Sequence, residues 1–113
     1  MTPAAIGALG EPHRIRILEL LRDGPRAVGE IAAALDLSQP LVSKHLRVLG
    51  RAGWVAVEPK GNRRIYRLDP RAFREVDAWI GSFRALWEER FDRLDALLKA
   101  PGDPALGPDH PHP

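Results

Sequence analysis

The stretch SQPLVSKHLRVLGRAGWV, residues 38–55, decides how this chain folds. Ser38 suits an N-cap, because its hydroxyl can accept from an unpaired N–H of a helix's first turn. Pro40 is tolerated in that turn, where its missing N–H costs nothing. Val42, Leu46 and Leu49 recur at helical spacing and predict a buried stripe. Gly53 marks the exit. Gln39, Ser43, Lys44 and Arg47 point the other way. The predicted helix has an apolar back and a polar, cationic front.

Upstream, PAAIGALGE holds Ile6 and Leu9 three apart, but its glycines make it a weak helix that needs a partner. In EPHRIRILELLRDGP, Pro12 fits a first helical position, Ile15, Leu18 and Leu21 form the expected stripe, and Gly24-Pro25 stops it. In AVGEIAAALDLS, Val28, Ile31, Ala32 and Leu35 give a second stripe. The helix is short and rich in alanine, so another helix can approach closely. Asp36-Leu37 leaves room only for a tight turn, and Asp tolerates the left-handed conformation that such a turn often needs.

Downstream, WVAVE and RRIYRLD are β-branched and aromatic, with PKGN between them. They predict a two-stranded hairpin whose tip carries Lys60, Asn62, Arg63 and Arg64. Asp69 is an N-cap candidate with Pro70 just inside, and no proline recurs until Pro101. A helix of about 30 residues, at ~1.5 Å each, is ~45 Å long, too long to pack fully on so small a body. Phe73, Ile80, Trp87 and Leu94 recur every seven residues. Val76, Phe83 and Leu97 follow three behind, Arg90 interrupts that row, and Trp79, Leu86, Phe91 and Leu98 widen the stripe. Five of the chain's seven aromatics lie between Phe73 and Phe91. A helix pair across a dimer axis would use that surface. PGDPALGPDHPHP then has five prolines in 13 residues, the composition of a disordered tail. The expected organisation is one domain over residues 1–100 and a Pro-rich tail over 101–113.

With 113 residues, 44% of them apolar, the chain can bury one core. It has no cysteine, which excludes disulfides, thiolate metal sites and cysteine redox switches. No apolar run approaches the ~20 residues of a membrane span, and the N-terminus lacks a signal-peptide layout. A soluble cytoplasmic protein without a membrane partner is expected. Net charge is only +2, but it is unevenly placed: residues 1–37 carry 4 basic and 5 acidic side chains, 38–71 carry 8 and 2, and 72–113 carry 5 and 8. A basic middle between acidic flanks points to one localised anionic partner.

Helix, tight turn, helix and a hairpin with a basic tip make the winged helix-turn-helix plan, mainly α with a two-stranded β-wing. The second helix of such a motif is narrow enough to enter the DNA major groove. Gln39 can pair with adenine edges, and Arg47 or Lys44 with guanine or phosphate. Ser38, Ser43 and the helix N-terminus suit phosphate oxygens. Lys60, Asn62, Arg63 and Arg64 would lie along the neighbouring backbone or minor groove. EIAAALDLSQPLVSKHLRVLGRAGWV followed by KGNRRIYRLDP closely resembles the ArsR-type family of bacterial winged-helix repressors, over about residues 12–98. The resemblance implies a homodimer through the N- and C-terminal helices, here Ile6, Leu9, Phe73, Val76, Trp79, Ile80, Phe83 and Trp87. It also implies a pseudo-palindromic double-stranded operator and repression of the protein's own operon.

The departures from the family pattern are specific. Arsenic-type members carry a Cys-x-Cys pair where the first motif helix begins; Ala27 and Gly29 stand there. Zinc- and nickel-type members carry Asp-x-His and His-x-x-His/Glu ligands on the last helix; here Asp77 is followed two later by Trp79, and no histidine lies between Phe73 and Ala100. No metal site and no cofactor are therefore expected. His13 reads as a capping or surface residue, His45 as structural or phosphate-contacting, and His110 and His112 as tail residues without a scaffold. No nucleophile–base pair, paired carboxylates or phosphate loop stands out, so no enzyme is expected. Two other readings stay open: a winged-helix protein-interaction module, and a regulator released by a small apolar or anionic ligand near the C-terminal helix, where Trp79, Phe83, Trp87 and Arg90 would line a crevice.

Overall fold

A computed structural model describes residues 2–98. The proline-rich segment 101–113, with His110 and His112, lies outside the described residues. Four α-helices and three strands follow a short 3-10 helix at Ala4–Gly10: α1 Pro12–Leu21, β1 Arg26–Ala27, α2 Val28–Leu35, α3 Gln39–Arg51, β2 Val55–Lys60, β3 Arg63–Leu68 and α4 Pro70–Leu98. The chain divides into two compact units, Met1–Trp79 and Ile80–Pro113.

Most helix ends follow from the residues predicted to make them. Ser38 Oγ accepts from Leu41 N at 3.3 Å and caps α3. The Asp69 carboxylate accepts from Arg71 N at 2.9 Å at the start of α4. Asp36 ends α2 with φ 55° and ψ 49°, and Leu37 N then bonds back to Ala32 O at 3.0 Å. Glu11 caps α1 ahead of Pro12, its carboxylate accepting from His13 N at 2.7 Å and Arg14 N at 3.3 Å.

The core is one cluster in the first unit. Ile17, Ile31, Val42, Leu46 and Leu49 are its largest fully buried side chains. The α2 and α3 stripes fall where their spacing put them. The α1 stripe does so only in part: Leu21 is buried and Leu18 packs against the core, but Ile15 is exposed and Ile17 is fully buried in its stead. Ile17 and Leu21, four apart, make the inward row, and the 15-18-21 row runs beside it. Ala5, Ala8 and Ala32 let backbones approach closely, and the N-terminal segment closes on the core as a 3-10 helix whose Ile6 and Leu9 are half-buried. Trp54 ties the ends of the motif together. Its Nε1–H donates to Ala5 O at 2.8 Å, and its ring meets Phe73 edge-on at 4.7 Å. Gly53 precedes it with φ 86°, a conformation that strains residues with a Cβ.

The sheet has three strands in the order β1-β3-β2, all antiparallel, where the sequence predicted two. The extra strand is only Arg26–Ala27, paired with Tyr66 and Ile65. Two residues carry no periodicity to read. The wing itself is longer than predicted, running to Lys60 paired with Arg63. Pro59 is accommodated because β2 is an edge strand. Gly61 takes φ 63° at the first central position of the two-residue turn, the requirement of a type II′ hairpin.

The second unit is described only as the remainder of α4. There Ile80, Phe83, Leu86, Trp87, Phe91, Leu94, Leu97 and Leu98 are all exposed in the single chain. On the polar side Arg93 pairs with Glu89 one turn away. None of the described helices is long and apolar enough to cross a membrane.

Candidate nucleic-acid interface

Side chains four apart on a helix share a face. Gln39, Ser43 and Arg47 therefore form a row along α3, about a quarter-turn around the helix from the buried Val42, Leu46 and Leu49. Gln39 and Arg47 are exposed and Ser43 is half-buried. Lys44 is also exposed but lies a step around the helix from that row. Ser38 is partly committed to capping. Lys60 and Asn62 are exposed beside Gly61 at the hairpin tip.

The hairpin brings its arginines to α2 and α3 unequally. Alternation along β3 puts Arg64 on the same face as Tyr66 and Val57, and Arg63 on the opposite face. Arg63 Nη2 reaches Glu30 Oε1 at 2.8 Å. Glu30 also accepts from Ala27 N at 3.0 Å. That backbone donor first, and Arg63 after it, hold the Glu30 carboxyl below its ordinary pKa. Gln39, Ser43, Arg63, Arg64 and Glu30 surround one open cavity of about 530 Å³. Gly29 sits at its edge, where an added methyl group would stand 3.4 Å from Gln39 Nε2. A second cavity, of about 650 Å³, lies between α3 and the wing and is lined by Ser43, Arg47, Arg51, Arg64, Tyr66 and Arg71 among others. Arg71 is held by Asp69, at 2.8 Å from its Nη2. The sequence reading missed Glu30, Arg51 and Arg71 here. Arg51 was findable, being one turn beyond Arg47; the Glu30–Arg63 pairing spans 33 residues and leaves no local trace.

Behind the polar row, α3 is anchored by a buried histidine. His45 is 5% exposed. Its Nε2 is 3.7 Å from Glu11 Oε2, its Nδ1 is 3.5 Å from Arg14 Nη1, and the His13 ring is 5.8 Å away. His45 is thus structural, and His13, read as a cap or surface residue, instead turns its ring inward while Glu11 does the capping. Burial is the largest influence on the His45 imidazole and holds its pKa below the ordinary value; Glu11 opposes this, while Arg14, His13 and Lys44 add to it. The unfolded chain therefore binds more protons than the folded one around pH ~6.5. This part of the stability is complete above that value and is lost as pH falls through it toward the lower folded pKa. The melting temperature is expected to drop between about pH 7.5 and about pH 5.5, with His45→Phe flattening that limb. A limb of equal slope in the variant would place the titrating group elsewhere. Among the described residues, no group of three or more His, Cys, Asp or Glu side chains is placed to hold a metal ion.

A three-helix helix-turn-helix, a β-wing folded beside its second helix and a row of polar and cationic side chains along that helix define a winged helix-turn-helix regulator. Residues 11–57 match the family model of the bacterial regulatory protein, arsR family. The HTH-type transcriptional regulator Rv2034 of Mycobacterium tuberculosis is 38% identical over 96 residues, 85% of this chain and 87% of that protein. The transcriptional repressor SdpR of Bacillus subtilis is 32% identical over 67% of this chain and 84% of its own length. A possible ArsR-family regulator from Mycobacterium bovis, solved as a homodimeric winged helix-turn-helix DNA-binding domain, superposes with a TM-score of 0.57 at 30% identity, over 75% of this chain and 76% of that one. The chain belongs to the ArsR family of bacterial transcriptional regulators.

Proposed function

We propose that this chain is a sequence-specific transcriptional repressor that binds a pseudo-palindromic operator as a homodimer in the cytoplasm and represses its own promoter. Residues 1–100 serve as its DNA-binding and dimerising domain. The observation that carries this reading is the Gln39-Ser43-Arg47 row on the exposed side of α3, with Arg64 of the wing lining both cavities beside it. A helix so dressed meets base edges in the major groove, while the wing meets the adjoining backbone. Ser38, Lys44, Lys60, Asn62 and Arg63 add phosphate contacts around it. Repression follows the name of the relative SdpR, and the dimer follows the M. bovis structure. Ala27 and Gly29 occupy the places of the arsenic-binding cysteines, and Trp79 that of a metal-binding histidine, so release does not run through those sites.

Gel shifts on the protein's own promoter test the reading. Affinity is expected to fall roughly 10³-fold or more between about 50 and about 200 mM salt, the signature of counterion release from ~6 or more phosphate contacts. Salt-insensitive binding, or equal affinity for unrelated DNA, would falsify it.

A further inference from the structure

We infer that the cavity between α3 and the wing is a binding site for a small organic anion with an apolar body, and that this ligand and DNA exclude each other. The second half rests on the DNA-binding reading above; the first does not. The cavity, about 650 Å³, falls within the ~300–1,000 Å³ of small-ligand sites. Its walls are of two chemistries. Val55 is buried at its base, and Val57 and Tyr66 are cross-strand partners on the hairpin face turned toward it. Val57 remains 40% exposed and Tyr66 half-buried, so apolar surface stays open at the floor.

The rim is cationic. Arg47 and Arg51 lie one turn apart on α3, and Arg64 is two residues from Tyr66 on the same face of β3. Arg71 also reaches the rim, but Asp69 neutralises it. None of the described lining residues is acidic. Three guanidiniums without a carboxylate among them call for an anion. A bare phosphodiester satisfies that charge and leaves Val57 and Tyr66 wet. An aromatic or aliphatic carboxylate, phosphate or sulfate satisfies both walls at once. Arg47 and Arg64 belong to the proposed DNA surface as well, so a ligand that occupies them removes two of the duplex's contacts. Release would then occur at the reading surface itself, not at a distant sensor.

The test is calorimetric titration of the full chain with 2-naphthoate, with 2-naphthalenemethanol and inorganic phosphate as separate arms. One naphthoate per chain is expected, with each control at least about tenfold weaker, because one lacks the charge and the other the apolar body. Val57→Gln is expected to weaken naphthoate about tenfold, while leaving operator affinity within about twofold. Arg51→Gln gives an independent second variant and is expected to weaken naphthoate to a similar degree. Naphthoate should also displace labelled operator, with Val57→Gln raising the concentration required. Equal binding of the neutral alcohol would place the ligand on exposed apolar surface elsewhere, and equal binding of phosphate would reduce the site to bare charge; either overturns the inference. So does unchanged naphthoate binding in both variants. Absence of operator binding before any ligand is added would instead sink the DNA reading, with the titrations still deciding the site. Naphthoate that binds as expected but leaves bound operator in place would overturn the exclusion alone.

Discussion

Arg64→Glu is expected to weaken operator binding by between about 100-fold and about 10,000-fold, with little change in melting temperature. Arg64 is exposed near the hairpin tip and lines both cavities beside α3. A hydrogen bond to a charged group contributes about 1.5–3 kcal/mol. A dimer loses that contact twice, and each ~1.4 kcal/mol is tenfold in affinity. The reversed charge adds repulsion from phosphate. Arg47→Ala is expected to fall at the lower end of the same range and to relax sequence preference, since a base-edge contact discriminates by about 1–3 kcal/mol. Arg63→Glu differs in kind. It sets a second carboxylate against Glu30, so it lowers stability only slightly, as expected for an exposed pair, besides losing a cation. Simultaneous reversal of both arginines would mix wing seating with DNA contact, whereas Arg64 alone separates them. Fluorescence anisotropy at fixed salt, with a melting curve for each variant, gives the comparison. Affinity within about threefold of the parent for Arg64→Glu would remove Arg64 from the interface.

The residues that decided the fold were legible because each acts through its own neighbours. A serine at 38, a proline at 40, apolar residues at 42, 46 and 49 and a glycine at 53 specify a helix with its cap and exit within one short stretch. Asp36 was legible for the same reason, since a left-handed turn residue between two helices has few candidates. What was missed needs distant partners. Ile15 and Ile17 both fit a helical row on α1, and only the placement of α2 and α3 chooses between them. β1 exists because Tyr66 and Ile65 offer it a ladder, not because Arg26-Ala27 favours a strand. His45 looked free to serve phosphate until Glu11, Arg14 and His13 closed over it. In the candidate site the cationic residue types were visible, but the division of labour between Arg63, bound to Glu30, and Arg64, turned to α3, required strand register. The expected interface residues divided as well. Leu9 and Val76 pack against the core of their own chain, and Phe73 meets Trp54, so they cannot be given wholly to a partner.

That division moves the assembly argument onto Ile80–Leu98, and the double substitution Ile80→Asp with Trp87→Glu is expected to leave a folded monomer. The helix α4 has 29 residues, ~43 Å at ~1.5 Å each. In the single chain Ile80 and Trp87 are each 50% exposed, Leu94 51%, Phe91 61% and Leu97 65%. Soluble monomers seldom leave so continuous an apolar surface uncovered. The spacing Ile80-Trp87-Leu94 is the seven-residue repeat by which paired helices keep a seam in register, while Glu89 and Arg93 occupy the other side. Two carboxylates within the seam face each other or apolar surface in a dimer, and burial without partners costs several kcal/mol per charge. Neither residue belongs to the buried core of the first unit, so that unit should keep its melting transition. Operator affinity should fall by about 10²–10⁴-fold, the avidity lost when two half-sites are no longer bound by linked modules. Light scattering reads the mass, and Glu88→Ala with Asp92→Ala on the polar side supplies the control, expected to remain dimeric. A double variant that stays dimeric would place the interface away from this seam, whereas a monomer that retains full operator affinity would separate assembly from DNA binding.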